Sequence, residues 1–189
     1  MGQSSEGSAR PLYERALAIR EKALGPEHSD TAVSLNNLAS LLQAQADLAG
    51  ARPLYERALA IHEKVLGPEH PHTAISLGNL ARAMSENCYS SDAEALFKRA
   101  IAIGENALGH RHPLTQRCCS HYARLLLNTG RPTDALSYAQ SALSIHEATS
   151  GPTHHWTKDS ARVMADALDA QGRTDEAAEL RAQYGIDGS

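Results

Sequence analysis

Histidine is the residue best suited to chemistry in this sequence, since ten of the 189 positions carry it. Imidazole can exchange protons near neutral pH and can bind transition metals. Three close pairs could share a metal ion: His70/His72, His110/His112 and His154/His155. Cysteine and carboxylate groups do not accompany these pairs at a recognisable ligand spacing. The sequence therefore predicts neither a metal site nor a cofactor.

Four of the histidines recur at one position of a repeated segment, at His28, His70, His112 and His154. A catalytic residue would not normally be copied into every repeat, so we expect a structural role such as hydrogen bonding at a helix entry. The sequence also has no GxSxG elbow, phosphate-binding glycine loop or zinc-protease helix. We expect no enzyme activity. Only a reaction lost on mutating a non-periodic histidine, such as His121, would reverse this interpretation.

The number and spacing of the cysteines and the distribution of charge exclude further classes of protein. Cys88, Cys118 and Cys119 are odd in number, lack CxxC spacing and include an adjacent pair, which rarely forms a disulfide. The net charge is −4 with both signs interspersed, which does not indicate nucleic-acid binding. No apolar run approaches the roughly 18 residues of a membrane span, and residues 1–10 lack a signal-peptide core. We expect a cytoplasmic protein with no membrane partner.

The histidine-bearing segment belongs to a repeat of 42 residues. LYERALAI begins at Leu12 and at Leu54, LFKRAIAI begins at Leu96, and YAQSALSI begins at Tyr138. The intervening segments are GPEHSDT, GPEHPHT, GHRHPLT and GPTHHWT. Residues 9–31 and 51–73 are identical at 19 of 23 positions, which indicates internal duplication.

Each period contains two amphipathic helices, here named helix A and helix B. Leu35, Leu38, Ala39 and Leu42 form an apolar stripe at helical spacing in the first helix A. Proline suits the first turn of helices A at Pro71 and Pro113. We expect Gly25, Gly67, Gly109 and Gly151 to supply a left-handed stop at the end of a helix B. The pattern predicts helices A near 29–46, 71–88, 113–128 and 156–171, each followed by a helix B. An unpaired helix B is expected at 8–24.

These predictions give an all-α fold with about nine helices. Residues 8–186 should form one array whose repeats span about 29–66, 71–108, 113–149 and 156–184. We expect disorder at residues 1–7 and 187–189. A helical hairpin of this size cannot bury both apolar stripes alone, so repeats must stack on their neighbours.

The pattern resembles the tetratricopeptide repeat, in which small residues lie where two helices touch. The matching positions in the first complete repeat are Leu35, Leu38, Ala39, Leu42, Ala51, Tyr55 and Ala58. The 42-residue length and the LNNLA motif are similar to the kinesin-light-chain subgroup. At the glycine that the family places between helices A and B, Gly130 and Gly172 match, whereas Ala46 and Cys88 do not. The resemblance implies an α-solenoid of antiparallel helix pairs, with helices A lining a concave face.

The resemblance also implies that this face binds a protein or peptide, with Asn36, Asn37 and Asn79 against its main chain. Arg82 and Arg124 lie one period apart and should occupy adjacent rungs. Guanidinium groups suit carboxylates, so we expect an acidic peptide or a free C-terminus. The predicted contacts are Asn36, Asn37, Ser40, Gln43, Asn79, Arg82, Arg117, His121, Arg124 and Arg162.

Two alternatives stay open. The arginines could merely be solvated or could pair with acidic residues of the next repeat. The array could instead be a structural spacer or self-assembly segment of a longer repeat protein, stacking through its terminal helices. For the chain itself we expect a monomer or weak self-association through exposed terminal helices.

Overall fold

The computed structural model describes residues 6–86 and 90–186, and the chain falls into two compact units, residues 1–89 and 90–189. Nine α-helices and no strands lie within the described residues, which confirms the all-α fold. The helices are α1 (Glu6–Leu24), α2 (Ser29–Ala44), α3 (Leu48–Leu66), α4 (Pro71–Ser85), α5 (Ser90–Leu108), α6 (Pro113–Asn128), α7 (Pro132–Ser150), α8 (His155–Asp169) and α9 (Thr174–Tyr184). Even-numbered helices are helices A, and odd-numbered helices are helices B.

The first unit contains α1 to α4. Helix α2 packs against α1, α3 and α4, and α3 also packs against α4. The core includes Ala32 and Leu35 of α2 with Ala58 and Ile61 of α3, and Leu17 of α1 packs against this cluster. Alanine at a contact position lets two helix backbones approach closely, which explains why a core with few aromatic rings can be well packed.

The second unit contains α5 to α9, and each helix packs against the next along the chain. One buried cluster contains Leu143 of α7, Ala161 of α8, Tyr184 at the end of α9 and Ile186, which follows α9. The buried ring of Tyr122 lies 5.0 Å from Tyr138 between ring centroids, in an edge-to-face arrangement. These contacts give the second unit a hydrophobic core of its own.

The segment between helix B and the next helix A is fixed by a repeated set of hydrogen bonds. In the first unit Gly67 has φ 95° and ψ 161°, a conformation that is essentially restricted to glycine. The hydroxyl of Thr73 donates to the Gly67 carbonyl at 2.8 Å. His70 Nδ1 accepts from the backbone N–H of His72 at 3.1 Å, and Pro71 occupies the first turn.

The same histidine cap begins every helix A, through His28, His70, His112 and His154. The predicted structural role of the periodic histidines is therefore confirmed. Glycine does end each helix B, but at Gly67 and Gly151 the ψ angles of 161° and 166° lie outside the left-handed helical region.

Most predicted helix bounds agree with the structure to within three residues. Helices A end earlier than expected at Ala44, Ser85 and Asp169. Helix α1 begins at Glu6, two residues before the expected start at residue 8. The equivalent helix α3 begins at Leu48, which lies 42 residues, or one period, after Glu6. Residues 1–5 and 187–189 lie outside the described residues. One continuous array over 8–186 stays a prediction.

Candidate protein-interaction surface

Asn36 is buried and ties two helices A together. Its amide Nδ2 donates to Ser76 Oγ of α4 at 2.8 Å. Ser76 Oγ also lies 2.9 Å from His62 Nδ1, and His62 Nε2 lies 3.3 Å from the carbonyl oxygen of Ser29. Because a carbonyl can only accept, the Nε2 atom of His62 carries a proton and donates it to the Ser29 carbonyl. Asn36 Oδ1 has no hydrogen-bond partner among the described residues.

Gln43 and Arg82 form a second polar network in the first unit. The buried Gln43 amide donates to Glu86 Oε1 at 2.7 Å and accepts from the Tyr55 hydroxyl at 3.1 Å. Arg82 Nη2 lies 3.4 Å from the Tyr55 hydroxyl, and its Nη1 lies 3.8 Å from Glu86. The Arg82 Nε atom is buried and has no partner among the described residues. Arg82 is thus already oriented by α3 and α4.

Asn37 and Asn79 are amide side chains on the two helices A of the first unit. Asn37 is exposed on α2, and Asn79 is half-buried one period later on α4. Helices α2 and α4 pack directly against each other. Ser40, one turn after Asn36 and Asn37, is also half-buried. Together these side chains leave donors and acceptors available along neighbouring helices A.

In the second unit, arginine side chains form ion pairs on the surface of helices α6, α8 and α9. Arg124 Nη1 donates to Asp166 Oδ2 at 2.5 Å, which is the pairing with an acidic residue of the next repeat that the sequence left open. Arg181 of α9 also binds Asp166, at 3.0 Å. Arg162 is exposed and pairs with Asp159 of its own helix at 2.9 Å. Asp166 therefore has two cationic partners.

Arg117 and His121 lie on α6, the helix that also carries Arg124. The Arg117 guanidinium carbon lies 5.3 Å from the ring centroid of Trp156, which is within cation–π range. His121 is half-buried. Arg82 belongs to the first unit and Arg124 to the second, so their placement on adjacent rungs stays a prediction.

The buried histidines His62 and His146 were missed by sequence reasoning. His146 repeats the contacts of His62, since its Nδ1 lies 3.0 Å from Ser160 Oγ and its Nε2 lies 3.1 Å from the Pro113 carbonyl oxygen. Burial lowers the pKa of both imidazoles below 6.5. One sequence signal could have found them: the two histidines lie two periods apart, each on the apolar face of a helix B.

One exposed arrangement has the order of a hydrolase triad. Ser141 Oγ lies 3.3 Å from His110 Nε2, and His110 Nδ1 lies 2.9 Å from Glu105 Oε1. The Ser141 hydroxyl is also 3.1 Å from Gln116 Oε1, to which it can donate. Because Ser141 lies in the middle of α7, the surrounding backbone N–H groups already bond within the helix and cannot serve as oxyanion donors.

The chain also carries thiols and other potential metal ligands. Cys119 is buried as predicted, and desolvation raises its pKa to about 12, which suits an inert core thiol. Within residues 6–86 and 90–186, no group of three His, Cys, Asp or Glu side chains could hold a metal ion. None of the helices in these ranges is long and apolar enough to cross a bilayer.

Comparison with known proteins identifies the repeat. The tetratricopeptide-repeat model matches residues 7–62, 31–106 and 116–183. A crystal structure of nearly identical TPR-like repeats, assigned to a kinesin light chain of Podosopora anserina, is 30% identical, with a TM-score of 0.69. A point variant of the same protein is 29% identical, with a TM-score of 0.71. Both comparisons cover 95% of this chain and 85% of that chain.

BtubC (BKLC) from P. vanneervenii shares the fold at 20% identity, with a TM-score of 0.75 over 98% of this chain and 77% of its own. None of the curated proteins matches this sequence. The repeat pattern, the helix pairs and the neighbouring structures agree on an α-solenoid of the kind that serves as a scaffold for protein–protein interaction. The chain therefore belongs to the tetratricopeptide-repeat family, in its kinesin-light-chain-like form.

Proposed function

We propose that this chain binds a peptide segment of a partner protein along its helices A. The observation that carries the proposal is the pair Asn37 and Asn79, which lie at equivalent positions of two packed helices A. No hydrogen bond within the described residues occupies either amide. An amide side chain can donate to a peptide carbonyl and accept from a peptide N–H, so it suits a main chain of any sequence.

The spacing of the two amides fits an extended peptide. Axes of packed helices lie about 8–10 Å apart, and an extended chain advances about 3.3 Å per residue. Asn37 and Asn79 would therefore contact peptide groups about three residues apart. Asn36 and Gln43 support this surface from beneath, because their side chains hold α2 against α4 and against Glu86.

The proposed preference for an acidic segment or a free C-terminus rests on Arg124 and Arg162. Both guanidinium groups are exposed at their edges and lie on helices A of the second unit. Arg124 can turn from Asp166 to a ligand carboxylate without leaving Asp166 unpaired, since Arg181 also binds that carboxylate. Within the second unit, Arg117 and His121 lie on the same helix A as Arg124 and would flank this carboxylate. Within the first unit, Arg82 lies on the same helix A as Asn79 and would flank the peptide there.

A peptide array tests the proposal. Each random 12-residue peptide would be made with a free C-terminal carboxylate and again as the C-terminal amide. We expect Asn37→Ala combined with Asn79→Ala to weaken binding of every selected peptide at least tenfold. Arg124→Gln combined with Arg162→Gln should weaken mainly the acidic peptides and those with a free carboxylate.

Gln140→Ala provides the matched control, because it removes an exposed amide from a helix B, α7. This control should bind the selected peptides like the wild type. Equal binding by the double asparagine variant and the wild type would reject the proposed surface. The proposal includes no catalysis and no nucleic-acid ligand. It also includes a cytoplasmic location, which the free thiols Cys118 and Cys119 support.

A further inference from the structure

Asp166 lies at the repeat position that arginine occupies in the two preceding helices A, at Arg82 and Arg124. Arg124 Nη1 donates to Asp166 Oδ2, so this ion pair joins equivalent positions of α6 and α8. The two helices pack against each other. A ligand carboxylate that binds Arg124 therefore has to take the place of the Asp166 carboxylate.

Arg181 of α9 holds Asp166 in this position from its other side. It donates to Asp166 Oδ1 at 3.0 Å, whereas Arg124 uses Oδ2. Arg181 also binds Asp169 at 2.7 Å. The side chains of Asp166 and Arg181 are only 17% and 18% exposed, and hydrogen bonds between ionised groups are stronger away from bulk water. The Asp166 carboxylate is thus already ordered before a ligand arrives, which makes it an effective competitor.

We propose that Asp166 determines ligand specificity, as an internal competitor for Arg124 that selects segments with clustered acidic residues over segments with one isolated carboxylate. This inference rests on the proposed peptide function and specifies which ligands use its acidic subsite. A single ligand carboxylate exchanges one ion pair for another of the same kind, so it gains little affinity. A cluster gains more, because Arg162 lies one turn before Asp166 on α8 and can bind a second carboxylate.

Asp159 of the same helix shows the contrasting case. It pairs with Arg162 at 2.9 Å, but 59% of its side chain is exposed. An exposed ion pair contributes little free energy and is easily exchanged for another. Arg162 therefore meets only weak competition from Asp159, whereas Arg124 is held by a carboxylate that the fold keeps in place.

Asp166→Asn tests the proposal in the full chain, with the 12-residue peptide array described above and with affinities measured by fluorescence anisotropy. Asparagine keeps the shape of the side chain, and Arg181 keeps its partner Asp169. We expect acidic peptides to bind at least fivefold more tightly, with the largest gain for those that carry a single carboxylate. Neutral peptides with a C-terminal amide should bind as they do to the wild type.

Arg181→Gln should have the opposite effect, and it keeps the proposal testable if Asp166→Asn folds poorly. It removes one cationic partner of Asp166, so Arg124 is held more tightly. Acidic peptides should then bind at least threefold more weakly. Arg173→Gln is the matched control, because it makes the same charge change at an exposed arginine beside α9 and should alter affinity less than twofold.

Asp159→Asn is the matched control for Asp166→Asn, because it makes the same charge change on the same helix, and it should alter affinity less than twofold. Equal gains in the two variants would overturn the competitor role, since net charge alone would then explain them. Peptide binding by the wild type with no gain in Asp166→Asn would overturn this role and leave the proposed function standing. Absence of peptide binding by the wild type and by every variant would overturn both.

Discussion

At the scale of single residues, histidine serves the fold of this protein in two ways. The linker histidines, such as His70, accept a backbone N–H with Nδ1 and begin the helices A. His62 and His146 are buried, and each connects a serine of one helix A to a backbone carbonyl at the start of the previous one. Burial lowers the pKa of His62 and His146 and so favours their neutral imidazoles, which means that protonation of these two residues should oppose folding.

We therefore predict that the protein loses stability as the pH falls below about 6.5. Burial lowers the pKa of His62 and His146 in the folded state, so the unfolded chain binds protons more readily. The unfolded state gains protons first on acidification, and the free energy of unfolding falls. Urea denaturation across the range from neutral to mildly acidic pH would measure this decline.

The double variant His62→Gln with His146→Gln should show a flatter pH dependence over this range. Its stability at neutral pH should be lower, because glutamine fills the buried sites less well. His155→Gln, at an exposed position, serves as the control and should keep the wild-type slope. An unchanged slope in the double variant would show that other groups cause the pH dependence.

The roles of some of these residues were predictable from the sequence, and the roles of others were not. Periodicity alone identifies the linker histidines as structural, because the residue and its surroundings recur together. The burial of Asn36 was not predictable from the stripe of α2, since its partner Ser76 lies on the next helix A. Likewise, no local pattern indicates that Arg82 is oriented by Tyr55, which lies on a helix B.

At the scale of elements, the turns between helices A and B differ in strain. Gly130 and Gly172 have φ angles of 75° and 77°, and Ala46 has φ 61° at the equivalent position. The positive φ explains why the family places glycine at this site. The backbone keeps the positive φ at position 46, where alanine stands in place of glycine. A non-glycine residue in this region costs about 1–2 kcal/mol.

Ala46→Gly should therefore stabilise the protein, by about 0.5–1 kcal/mol once the greater flexibility of glycine in the unfolded chain is included. The midpoint of urea unfolding would measure the gain. Ala60→Gly is the control of opposite sign, because Ala60 is exposed within α3 and should lose about 0.5–1 kcal/mol. A loss of stability in Ala46→Gly would contradict the assigned strain.

The extent of each helix was largely predictable, because apolar stripes and Gly-Pro or Gly-His pairs mark its ends. The early ends of the helices A were less visible in the sequence. In α2, the backbone N–H groups of Gln45 and Ala46 turn back to bond carbonyls of the last helical turn. Such endings depend on backbone geometry. Glutamine is not a residue that marks the end of a helix, so Gln45 gave no signal in the sequence.

At the scale of the whole molecule, each compact unit contains its own buried clusters. In residues 90–189 these include Leu143, Ala161 and Tyr184, and also Ala165, Leu168 and Ala177. We predict that a fragment of residues 90–189 folds alone, with a helical circular dichroism spectrum and a cooperative thermal transition. Ala161→Asp in this fragment should abolish the transition, because it places a charge in the core.

A broad, non-cooperative transition of the fragment would contradict this prediction. From the sequence alone we predict a single stacked array, because a periodic pattern makes every boundary between repeats look the same. The division at residues 89 and 90 depends instead on where three-dimensional contacts are dense. One period of sequence contains no information about that density.

The linker described above also affects how such a gene can change in length. Each linker closes its own hydrogen bond, in which the threonine hydroxyl donates to the carbonyl of the glycine six residues earlier. Unequal crossing-over between the DNA encoding residues 9–31 and 51–73 would delete 42 codons and rejoin an intact linker. Shorter and longer alleles should therefore differ by whole multiples of this length and still encode folded products.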